Sequence, residues 1–141
     1  MNPRDFQELA AELAGGSRPS EFRTSISRAY YAAFHVAAEL LTSVGFHVPS
    51  GPGAHGEVAR LLMNSSDQEL QNVGVDLSDF RQMRNMADYQ LRKTSVETIS
   101  AARSSVQKAA LMIRILDACQ KEPQRSRIIA GINTYLKKLE P

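Results

Sequence analysis

The sequence predicts an all-α fold, an up-and-down bundle of four or five helices with one more helix at the C-terminus. Three observations lead there. Apolar residues recur at three- and four-residue spacing along almost the whole chain, as on the buried face of a helix. No segment alternates apolar with polar residues as a half-buried strand would. The chain has 141 residues, 43% of them apolar, enough for one domain that hides roughly 65–70% of its unfolded surface without a covalent staple.

The first helix runs from Pro3 to Ala14, with Asn2 as N-cap, Pro3 at the first helical position and Gly15-Gly16 as the stop. Phe6, Leu9, Ala10 and Leu13 form its inner face. The second runs from Ser20 to Gly45 and carries two adjacent stripes, Phe22-Ile26-Ala29-Ala33-Val36-Leu40 and Tyr30-Phe34-Ala37-Leu41. Two apolar stripes make it the central helix. After the Gly/Pro-rich loop Phe46–His55 comes a short helix with Val58, Leu61 and Leu62. The next spans Asp67 to Leu91, with Leu70, Val73, Leu77, Phe80, Ala87 and Leu91 in phase. Gly74 within it costs ~1 kcal/mol relative to Ala and predicts a bend or break.

Thr94-Ser95-Val96-Glu97 fits a capping box and starts another helix, through Ile99, Ala102, Val106, Ala110, Ile113 and Leu116. Pro123 interrupts, and a last helix carries Ile128, Ile132, Tyr135 and Leu139. Residues 1–121 read as the bundle and 122–141 as a helical extension.

Composition narrows the function. Cys119 is the one cysteine, so neither a disulfide framework nor a cysteine zinc site is available. The absence of Trp and the few aromatics exclude a stacking platform of the OB-fold or RRM kind. No apolar run nears the ~20 residues of a membrane span and no signal-peptide pattern opens the chain. A soluble, cytoplasmic protein without a membrane partner is expected. There is no phosphate loop, no GxGxxG and no His-Glu-x-x-His. His47 and His55 flank the loop with no second ligand at helical spacing, so no metal and no cofactor are expected. Charge is uneven: residues 1–72 hold five Lys/Arg against eight Asp/Glu, and residues 73–141 twelve against seven. A basic half can attract a phosphate backbone or simply be a solvated helix face.

Two polar patches interrupt the apolar pattern. On the second helix Arg23, Ser27, Tyr31, His35 and Glu39 recur every four residues, with Arg28 beside that line. On the fourth, R-Q-M-R-N-M-A-D-Y (81–89) places Arg84 in phase with Leu77 and Leu91, and Asp88 one turn later. An inward charge needs a partner. One shared polar layer is expected, Arg28 pairing with Asp88 and Arg84 lying beside Tyr31. A salt-bridge layer that fixes helix register would look the same.

The run SRAYYAAFHVAAELL (27–41), the HGEV beginning at His55, and R-x-x-R-N-x-A-D-Y (81–89) resemble the HEPN superfamily, across about residues 5 to 120. The resemblance implies a small helical bundle that forms a homodimer in prokaryotic defence or toxin–antitoxin systems. Many such proteins are metal-independent ribonucleases that carry an Arg, then four to six residues, then a His, the Arg stabilising phosphate charge while the His moves the proton. Here the position of that His is Ala87, which cannot move a proton.

The resemblance with this departure implies a non-catalytic HEPN module, a dimeric binding or regulatory partner. Arg28, Arg81, Arg84 and Asn85 would contact RNA or nucleotide phosphate, and Tyr31, Asp88 and Tyr89 would form the polar layer. The alternative is a ribonuclease with Arg84 at the phosphate and His35 or Tyr31 as proton shuttle. Tyr89 aligns with a Tyr that a partner nucleotidyltransferase modifies in HEPN toxins, so such an enzyme, or another defence-operon protein, is an expected partner. Read from the residues alone, Tyr89 packs and hydrogen-bonds in the core. A third reading is an adaptor docking through Arg125, Arg127, Lys137 and Lys138 on the last helix.

Overall fold

A computed structural model of residues 1–141 contains six α-helices and no strand. They are α1 (Arg4–Ala14), α2 (Pro19–Ser43), α3 (Gly53–Met63), α4 (Gln68–Tyr89), α5 (Ile99–Ala118) and α6 (Gln124–Lys138), with a 3-10 turn over Thr94–Val96 before α5. No helix is long and apolar enough to cross a membrane.

The two stripes on α2 put it at the centre. It packs against α1 and α5 on one side, which also pack on each other, and against α4 on the other, whose far flank carries α3. Ile26, Ala29, Tyr30, Ala33, Ala37, Leu40 and Leu41 are all 0% exposed. The alanines leave room for neighbours to approach, and the larger side chains fill the seams between helices. Cys119 is one more core residue, its thiol pushed up to about 11 by burial, with Asp67 and Glu69 adding to the shift.

Side-chain caps mark the starts of α1, α4 and α5. Asn2 Oδ1 accepts from the Arg4 N–H at 3.0 Å, and Asp67 Oδ1 accepts from the Leu70 N–H at 2.9 Å, each meeting an otherwise unsatisfied donor. The predicted cap at Thr94 is corrected. Thr98 is the N-cap of α5, its Oγ1 accepting from the Ala101 N–H at 3.0 Å, and Glu97 turns away to an arginine on α2. Ile99 therefore stands in the first turn, 40% exposed, rather than on the inner face. Leu9, Leu91 and Ala110, also predicted inward, are exposed.

Gly74 does not break α4, which runs through it from Gln68 to Tyr89. It is buried where α3 crosses, and a Cβ there would lie 2.9 Å from the Met63 nitrogen and 3.0 Å from the Ala59 oxygen. The helical penalty of glycine is offset by this close approach of two backbones.

A second close approach fastens α6. A Cβ on Gly131 would fall 2.1 Å from the Ser65 carbonyl oxygen in the turn between α3 and α4. Ile128 and Ile132 on either side are 0% exposed and belong to the main core. Arg60 of α3 adds a hydrogen bond to the Tyr135 hydroxyl. Residues 122–141 extend the chain, but they seal one end of the same core.

Candidate functional site

The polar line on α2 divides into two environments. At its N-terminal end Arg23 is 8% exposed, and all five of its N–H groups are used. Nε donates to Glu97 Oε1 at 2.8 Å, Nη1 to the Met86 and Ala87 carbonyls at 3.1 and 2.9 Å, and Nη2 to the Gln90 and Lys93 carbonyls at 3.1 and 2.8 Å. The last turn of a helix leaves carbonyls without partners and carries a partial negative charge. Arg23 meets both needs for α4, and nothing is left over to bind anything else.

Two turns along, the arginines have few acceptors. Arg84 donates from Nε to Asp88 Oδ2 at 2.9 Å and from Nη1 to Asn85 Oδ1 at 2.7 Å. Its guanidinium carbon lies 5.0 Å from the Tyr31 ring centre and 5.5 Å from that of Tyr89. Arg28 lies 5.0 Å from Tyr31 and 4.8 Å from Phe6, and its one hydrogen bond is to Ser27 Oγ at 3.3 Å. Aromatic faces attract guanidinium without consuming its N–H groups. Arg81 makes no hydrogen bond or ion pair, and its Nε is shut away from water. Of these three cations only Arg84 is bonded to a carboxylate, that of Asp88.

The expected polar layer exists in altered form. Arg84 does lie beside Tyr31, but Arg28 does not pair with Asp88. Ser27 stands between them, accepting from Arg28 and donating to Asp88 Oδ2 at 3.1 Å. Tyr89 is corrected outright: it is 72% exposed and makes no hydrogen bond, so it belongs neither to the core nor to a buried layer. The Ala87 methyl is 2% exposed and belongs to the main core. His35 stacks beside Tyr31 at 6.0 Å and also borders an open groove of about 500 Å³ with Ala38, Thr42 and Val48. Burial lowers its pKa, with Glu39 raising and Arg28 lowering it further.

No family model, curated protein or solved structure matches this chain.

Sequence reasoning missed the part played by His55. The first turn of α3 carries it onto the same cluster. Its ring lies on Phe34 with 4.4 Å between centroids, and Nδ1 is 2.7 Å from the Tyr30 hydroxyl. Burial lowers its pKa, and the charges of Arg81, Arg84 and His35 lower it further, so the ring is neutral at neutral pH. Burial raises the pKa of Tyr30, whose phenol stays protonated. A histidine opening a helix after a Gly/Pro loop carried no spacing signal, because its neighbours come from other helices. No three His, Cys, Asp or Glu side chains converge as metal ligands would. The arrangement instead gathers Arg28, Arg81, Arg84 and the imidazoles of His35 and His55 around aromatic rings, a set of donors suited to oxyanions.

Proposed function

We propose that this chain is a non-catalytic HEPN-type module that binds RNA or nucleotide phosphate through Arg28, Arg81 and Arg84. In this reading it acts as a homodimer, joined through the face of α2 and α4, and as a regulatory partner in a prokaryotic defence or toxin–antitoxin system. The observation that carries the binding reading is Arg81. Arg81 is half-buried and has no acceptor anywhere in the protein, so its outer N–H groups are free to meet a phosphate oxygen. Ala87 supports the absence of proton transfer at the position where the resemblance implies a His.

The test is fluorescence anisotropy of a labelled short single-stranded RNA with the wild-type protein and with Arg81→Ala and Arg84→Ala. Three phosphate contacts predict a slope of about −2 in log affinity against log salt between ~50 and 200 mM. Each substitution is expected to weaken binding ~10-fold, the worth of a charged hydrogen bond. Affinity indifferent to both substitutions and to salt overturns the proposal.

A second reading, a metal-independent ribonuclease using Arg84 with His35 or Tyr31, is supported by the position of Tyr31 between the other two. RNA fragments that accumulate with wild type and vanish with Arg84→Ala would favour it over pure binding.

A further inference from the structure

His55 has a hydrogen-bonding state that the surrounding chain dictates. Tyr30 is 0% exposed, and His55 Nδ1 is the only partner of its hydroxyl. A phenol has one proton to give. Were Nδ1–H the donor, the Tyr30 proton would be left in the core with no acceptor, the costly case for a buried polar group. The Tyr30 proton therefore goes to Nδ1, and the imidazole carries its own proton on Nε2.

Nε2 has no partner in the protein and is not enclosed. The groups that face the ring are Tyr30, Tyr31, Phe34 and His35 from α2 and Arg81 and Arg84 from α4. The neutral ring is thus a hydrogen-bond donor at its outer nitrogen and has no lone pair there to accept a proton. That state suits recognition of an oxyanion and disqualifies His55 as a general base.

We propose that His55 is a ligand of the anion held by Arg81 and Arg84, donating Nε2–H to a phosphate oxygen, and that Tyr30 is the positioning residue that fixes this tautomer. The assignment rests on the phosphate-binding reading above and adds a neutral donor that the arginine motif does not contain. The Tyr30 hydroxyl never touches the ligand; it acts through the ring.

Two measurements on the full chain test it. Imidazole nitrogen chemical shifts, read by NMR without any ligand, should show His55 as the Nε2–H tautomer in wild type and a mixture in Tyr30→Phe. In the anisotropy assay with single-stranded RNA, His55→Phe should weaken binding ~10-fold, about one hydrogen bond to a charged group. His55→Gln, which keeps an amide N–H, should recover most of the loss. Tyr30→Phe should weaken binding less than His55→Phe. An Nδ1–H tautomer in the wild-type protein overturns the proposal whatever the RNA does. Loss of binding in Arg81→Ala with none in His55→Phe overturns it and leaves the arginine reading standing. Wild-type protein that binds no RNA overturns both.

Discussion

Arg23 and Arg81 both belong to the packing of α2 against α4, and they are used in opposite ways. Arg23 spends every donor on a carboxylate and four carbonyls. Arg81 spends none. The contrast teaches that an inward arginine is judged by the ratio of acceptors to N–H groups, not by its burial. Where acceptors match donors the residue holds the fold together, and where donors are in excess its N–H groups remain free, as the proposed binding role requires.

The sharpest way to break this contrast is Arg23→Ala. It strips the end of α4 of its partners and leaves Glu97 unpaired in a half-buried position, so urea denaturation should show a loss of about 3–5 kcal/mol. A loss under ~1 kcal/mol would erase the distinction. Arg81→Ala should give the mirror image, with stability within ~0.5 kcal/mol of wild type while RNA affinity falls ~10-fold. Destabilisation comparable to Arg23→Ala would mean that Arg81 has a structural partner after all.

Asp88→Asn sharpens the comparison from the acid side. Removing the carboxylate that restrains Arg84 should tighten RNA binding ~3-fold by Coulomb attraction while costing about 1 kcal/mol in the same denaturation assay. Weaker binding would show that Asp88 orients Arg84 rather than competing with the ligand.

The smallest effect is in pH. His35 and His55 both titrate below the ordinary value of 6.5 in the folded chain. The unfolded chain then binds more protons as pH falls through 6.5, so stability declines from there down to the folded-state values and levels off below them. Replacing His55 by Gln should remove its share of that slope. A melting temperature flat from neutral pH downward would contradict the burial of both rings.

The core stripes were legible because burial follows helical periodicity: Ile26, Ala29, Ala33 and Leu40 are where the spacing put them. Arg23 appeared only as one of five residues on a polar line, because its acceptors are mostly backbone carbonyls, which no sequence displays. On paper Thr94 is the better cap, with Glu97 three residues on where Thr98 has Ala101. The pull of Arg23 on Glu97 breaks the capping box that would have favoured Thr94. Arg84 beside Tyr31 could be anticipated from two helical faces. His55 could not, since its place depends on how far α3 stands from α4.

That distance is set at Gly74. Arg81 lies seven residues beyond Gly74 on α4, two helical turns and therefore the same face. His55 lies four and eight residues before Ala59 and Met63, the α3 residues that Gly74 touches. The crossing point thus acts as a fulcrum with the imidazole and the guanidinium at the ends of its two arms. A single methyl group at position 74 would wedge the helices apart there and open the gap about 10 Å away, so the width of the proposed anion site is governed by a side chain that is not there.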